Sequence, residues 1–141
     1  MSKLNIIMGI GLGILSVIDI KNKRIPILGV VLLGISCFIL RYVVERSMLG
    51  IGIILGILPG IVLLILAICS DGKIGVGDGL VVCILGIGYT VEEIISMLGI
   101  SFFFAAMCSI GLLIAKKADR KTELPFLPYL FIGHFLVHWI K

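Results

Sequence analysis

The chain has 141 residues, 60% of them hydrophobic and 14% charged, with a mean hydropathy of +1.30 and a formal net charge of +4. That much apolar surface cannot be hidden in one small core, so an ordinary water-soluble domain is excluded and lipid is the expected solvent. The twelve basic residues lie in short clusters between apolar runs, which excludes a nucleic-acid partner and reads as membrane topology instead.

In chain order, the apolar pattern predicts six helices: Leu4–Ile20, Ile25–Val44, Met48–Ser70, Val76–Thr90, Ile94–Ala115 and Pro125–Ile140. The breaks between them read KNKR, VERS, DGKIG, VEE and KKADRKTE. The expected fold class is an all-α integral membrane protein, a six-transmembrane-helix bundle that forms a single polytopic domain over residues 1–141. At 1.5 Å per residue the third and fifth helices are long enough for a hydrocarbon core of roughly 30 Å, whereas the fourth and sixth fall short and require tilt, thinning or a recessed end. Apolar segments recur to the last residue, so a cleaved signal peptide before a polar domain does not fit.

Lysine and arginine number eight on the side holding KNKR, DGKIG and KKADRKTE, against four on the side of Lys3, Arg41, Arg46 and Lys141. The positive-inside bias therefore puts the first set in the cytoplasm and both termini outside. The KKADRKTE loop, interrupted by Asp119 and Glu123, reads as a topology determinant and not as a lipid-binding patch. Pro59 inside the third helix reads as a simple kink.

Cys37, Cys69, Cys83 and Cys108 each lie in an apolar run without a C-x-x-C pair, so they are expected to be buried, inert thiols. His134 and His138 have the i, i+4 spacing of a metal-binding helix face but no third ligand nearby. They are expected in the outer half of the last helix beside an interfacial Trp139, and neither a metal nor another cofactor is expected.

Two of the eight acids stand apart. Asp71, Asp119 and Glu123 fall in cytoplasmic loops and Glu45, Glu92 and Glu93 in outer ones, where water solvates them. Asp19, at the end of the first helix, and Asp78, at the start of the fourth, are embedded at helix ends on the same cytoplasmic side. An acid near hydrocarbon costs on the order of 2.5–3.5 kcal/mol at a helix centre and less near an end, which makes the pair a functional candidate. Paired carboxylates sharing a proton can activate a water against a peptide carbonyl while protonating the leaving amine, the chemistry of aspartyl peptidases. Gly75, Gly77 and Gly79 around Asp78 leave side-chain-free positions where a substrate backbone can approach. The helix dipoles assign Asp78, at an amino-terminal end, to the base and Asp19, at a carboxy-terminal end, to the acid. The plain alternatives are an N-cap at Asp78 and charge balance against KNKR at Asp19. A non-enzymatic transporter or assembly subunit that relays cations through the two acids is the rival function.

These residues carry a resemblance. Asp19-Ile-Lys-Asn-Lys-Arg24-Ile-Pro26 is similar to the first-aspartate motif, and Gly75-Val-Gly77-Asp78 to the G-x-G-D motif, of type IV prepilin and preflagellin peptidases. Lys73 precedes the second motif, and Leu124-Pro125-Phe-Leu-Pro128-Tyr opens the last helix much as P-F-x-P-F does in that family. The likeness covers the whole chain and implies a six-helix aspartyl peptidase with Asp19 and Asp78 as its catalytic pair. It further implies motif or substrate-binding roles for Arg24, Pro26, Lys73, Gly75, Gly77, Pro125 and Pro128. The implied partners are the lipid bilayer and a prepilin-like protein with a short basic leader and an apolar helix, processed at the cytoplasmic face of a prokaryotic membrane. The chain departs from the family pattern at Leu80, where a lysine is common, and at Ile27, where asparagine is frequent. It has no segment resembling the cytoplasmic methyltransferase region of long relatives, so cleaved product is expected to keep an unmodified amino terminus.

The charge bias makes a direct prediction. Single cysteines introduced at residues 22 and 118 are expected to react with a membrane-impermeant thiol probe only from the cytoplasmic side, and one at residue 141 only from outside. Labelling of position 141 from the cytoplasm would show the spans to be miscounted.

Overall fold

The structure, a computed structural model, describes residues 3–22, 26–45, 50–70, 75–115 and 125–140. Its elements are α1 (Lys3–Asn22), α2 (Ile27–Leu40), a π-helical turn (Arg41–Glu45), α3 (Ile51–Cys69), α4 (Val76–Gly88), α5 (Val91–Ile114) and α6 (Leu127–Ile140). No strand occurs among the described residues. Helix is the outcome expected of such apolar runs, because it satisfies each interior N–H and C=O within one segment.

Helix starts follow local chemistry. Pro26 (φ −68°, ψ 122°) and Gly75 (φ −69°, ψ 123°) are extended residues at which α2 and α4 begin, neither with a side-chain cap. At α5, Thr90 Oγ1 accepts from the Glu93 amide at 3.4 Å, and Glu93 Oε2 accepts from the Thr90 amide at 3.1 Å. This capping box corrects one expectation: VEE is the first turn of α5, and not a loop before it. Thr90 followed three residues later by Glu93 was the readable signal. Two more boundaries move, since α4 stops at Gly88 and α1 runs on to Asn22, past Asp19.

Among the described residues, three helices are long and apolar enough to cross a membrane: Leu4–Asn22, Ile51–Cys69 and Val91–Ile114. The first of these joins the two that sequence length singled out. At 13 and 14 residues, α4 and α6 reach only about 20 Å. Large apolar side chains stand exposed on each of the six helices, among them Ile14, Leu32, Ile65, Leu80, Phe103 and Phe135. Such an exterior suits lipid contact.

Inside, α1 turns the stripe Leu4, Met8, Leu12, Leu15 and Ser16 toward the core, and Asp19 continues it at the same helical spacing. Met97, Leu85, Val81, Val82 and Leu130 from the facing helices complete that core.

The closest helix pair is α3 and α4. A Cβ on Gly56 would strike the carbonyl oxygen of Gly86, one on Gly86 would strike that of Gly56, and one on Gly60 would meet the Cys83 backbone. With Gly79 against Leu64, whose Cγ is 2.8 Å from where a Cβ would stand, the register is antiparallel along the whole seam. Leu15 against Gly29 joins α1 antiparallel to α2, and Phe102 against Phe126, ring centroids 5.2 Å apart, joins α5 antiparallel to α6. Phe131 against Gly13 sets α6 antiparallel to α1. Cys37, whose thiol donates to the Ile84 carbonyl at 3.5 Å, holds α2 parallel to α4, and the Arg41 guanidinium adds a bond to the Ile87 carbonyl. The ends of α1, α3 and α5 and the starts of α2, α4 and α6 therefore share one end of the molecule.

The cysteines correct a further expectation, because only Cys37 is buried: Cys69 is exposed, and Cys83 and Cys108 are partly so. An apolar run directs a thiol to lipid as readily as to the core.

Gly56→Ala and Gly86→Ala are expected to lower the thermal unfolding midpoint in detergent, each costing about 1–3 kcal/mol, as overpacking does. Gly99→Ala, with no atom within 4 Å of the new methyl, is expected to be neutral or slightly stabilising. Equal midpoints for Gly99→Ala and Gly86→Ala would count against the backbone seam.

Candidate active site

Asp19 is 5% exposed, and its carboxylate is held from across the molecule: the backbone N–H of Leu127 donates to Oδ2 at 3.3 Å. Leu127 is the first residue of α6, where four N–H groups lack partners within the helix. Pro128, next in line, has no N–H to satisfy, and Phe126 accepts the first bonds of α6 from Tyr129 and Leu130 at 3.0 and 3.1 Å.

Asp78 stands in the first turn of α4, its amide bonded to the Gly75 carbonyl at 3.1 Å. Its carboxylate folds back over Gly75, so that a Cβ at that residue would be 2.9 Å from Oδ2. Gly75 thus makes room for the acid itself. Gly79 is buried and serves the packing of α4 on α3, which corrects the reading that it leaves space for a substrate; Gly77 is half-buried in the same turn. Asp78 is half-buried, and its carboxylate interacts electrostatically with that of Asp19.

The chain thus brings together Asp19 from the last turn of α1, Asp78 from the first turn of α4 and the start of α6 between Pro125 and Pro128. Pro26 stands at the same end as the start of α2, half-buried with its ring toward Gly29. Arg24 and Lys73 lie outside the described residues. The dipole reading of Asp19 is weakened: Asp19 lies in the last turn of α1, which runs on to Asn22, but its carboxylate is also addressed by the amino terminus of α6, which favours its ionised form. Sequence reasoning had no signal for the Leu127 amide, since a backbone donor 108 residues away leaves no mark in side-chain pattern.

At the opposite end, Tyr89, which follows α4, meets both histidines of α6. Its hydroxyl and His134 Nε2 are hydrogen-bonded at 2.9 Å, and the two histidine rings stack with centroids 4.6 Å apart. His138 Nδ1 donates to the His134 carbonyl at 2.9 Å, while its Nε2 is buried without a partner among the described residues. No group of three or more His, Cys, Asp or Glu side chains that could hold a metal occurs among the described residues. Trp139 is exposed beside this cluster.

No family model, curated protein or solved structure matches the chain.

Proposed function

We propose that this protein is a membrane-embedded aspartyl endopeptidase that removes the basic leader of prepilin-like proteins. The observation that carries the reading is that Asp19 and Asp78, from helices distant in sequence, lie at the end of the molecule where α4 and α6 begin, near enough for the charge of Asp19 to act on Asp78. Two ionisable groups brought together inside an apolar chain are expensive unless they do chemistry. The motif resemblance at Asp19–Pro26 and Gly75–Asp78 supplies the substrate class.

In this reading all six helices lie in the cytoplasmic membrane of a prokaryote, with the aspartates at the cytoplasmic face. The substrate's apolar helix lies in the bilayer, and its basic leader stays in the cytoplasm near Asp71, Asp119 and Glu123. The ionised carboxylate of the pair takes a proton from a water as its oxygen attacks the scissile carbonyl. The protonated carboxyl, which shares its proton with the other, first hydrogen-bonds the developing oxyanion. Collapse of the tetrahedral intermediate breaks the C–N bond as the amine leaves with a proton from the pair. Both acids end ready to share a proton again, and the cycle requires no cofactor.

Asp19→Asn and Asp78→Asn are each expected to reduce leader cleavage by about three orders of magnitude or more, with the protein still folded in the membrane, and the double variant to be little worse than either single one. The readout is the mass shift of a co-expressed prepilin-like substrate. Cleavage near the wild-type rate by either folded single variant would falsify the dyad and return the acids to helix capping, charge balance or cation relay.

A further inference from the structure

We infer that the start of α6 is a positioning element for the aspartate pair: the Leu127 N–H, by occupying Oδ2 of Asp19, assigns the proton of that carboxyl to Oδ1. The inference rests on the dyad reading above and adds to it a group with no side-chain chemistry.

In a neutral carboxyl the carbonyl oxygen accepts a hydrogen bond far better than the hydroxyl oxygen, so an N–H on one oxygen favours the hydrogen on the other. With the Leu127 N–H on Oδ2 at 3.3 Å, a protonated Asp19 carries its hydrogen on Oδ1. Burial of Asp19 to 5% exposure leaves little water to take over the amide's role. The carboxyl is thereby restrained in rotation about its Cβ–Cγ bond, and the acid that shares a charge field with Asp78 presents one defined oxygen.

Sequence and packing make the donor available and rigid. Leu127 is the first residue of α6, so no intrahelical acceptor competes for its N–H. Its side chain is fully buried, which fixes the backbone at that point. Pro128 locks the next φ and removes the adjacent donor, so only one amide of the pair is available to the carboxylate. Phe126, its ring tilted against that of Phe102 with centroids 5.2 Å apart, anchors the residue just before. A backbone donor is also fixed in direction, since it does not rotate as a side-chain hydroxyl would.

The test removes the N–H and leaves the acid. Leu127→Pro deletes the donor at the helix position where proline is best tolerated, and Leu127→Ala sets the cost of the lost side chain with the amide retained. Because proline can disturb the helix start, a third variant replaces the Leu127 amide by an ester, introduced as the α-hydroxy analogue of leucine by nonsense suppression, and keeps the side chain. The substrate is a reporter with a short basic leader followed by an apolar helix. Relative to Leu127→Ala, the proline variant is expected to lose about tenfold to a hundredfold in kcat with KM within about threefold, the range for one hydrogen bond to a charged group. The ester is expected to lose a similar factor relative to wild type. Thermal midpoints should add a cycle: in an Asp19→Ala background the ester and amide forms are expected to unfold together, and with Asp19 present the ester form lower. An ester variant with wild-type kcat, or a loss confined to KM, would overturn the inference while inactive Asp19→Asn and Asp78→Asn variants leave the dyad standing. Active dyad variants would instead sink the peptidase reading, and the thermal cycle would still report on the hydrogen bond.

Discussion

An acid inside an apolar chain has to find its partner within the protein, and at Asp19 that partner is the first free amide of the last helix. The bond reaches across 108 residues and ties α1 to α6 at the end where the functional candidates gather. It also solves a second problem, because the amino terminus of α6 carries donors that have no partner within the helix. One contact thus relieves two unpaired groups, and the remainder of α1 follows by helical periodicity, with Leu15, Leu12, Met8 and Leu4 turned the same way as Asp19.

The other acid is placed by sterics. Backbone contact of α3 with α4 at Gly56, Gly60 and Gly86 leaves no tolerance for a methyl group, so α4 has one depth and one register against its neighbour. Close approach through small residues is how helices associate in a solvent that offers no hydrophobic driving force. The Cys37 thiol and the Arg41 guanidinium then tie α2 to carbonyls near the far end of α4, which keeps that short helix from sliding. With α4 so held, Asp78 in its first turn has little freedom to leave the neighbourhood of Asp19.

Polar chemistry is divided between the two ends of the molecule. Tyr89, His134 and His138 form a ring cluster joined by hydrogen bonds within α6 and between α6 and the residue that follows α4, far from the aspartates along the helix axes. The acids gather where helices start and end, and the basic runs KNKR and DGKIG stand next to them in sequence, as segments that orient a chain in a membrane do. In the proposed peptidase this separation keeps the reacting carboxylates at the side where a basic leader resides.

By itself the sequence determined that the chain is helical and lipid-compatible, because composition and run length decide those matters without reference to any neighbour. It also singled out Asp19 and Asp78, since a charge embedded in an apolar run is conspicuous wherever the chain folds. It held the Thr90–Glu93 capping signal too, which places Glu92 and Glu93 in the first turn of a helix. What only the tertiary structure decided is which groups meet. Gly75 and Gly79 look alike in G-V-G-D-G, yet one accommodates the Asp78 carboxylate and the other packs against Leu64. Burial of the cysteines and the helix end facing Asp19 were likewise settled by packing. The Leu127 amide is the clearest case: every residue but proline has a backbone N–H, so only the fold, by starting a helix there and bringing α1 alongside, could make this one matter.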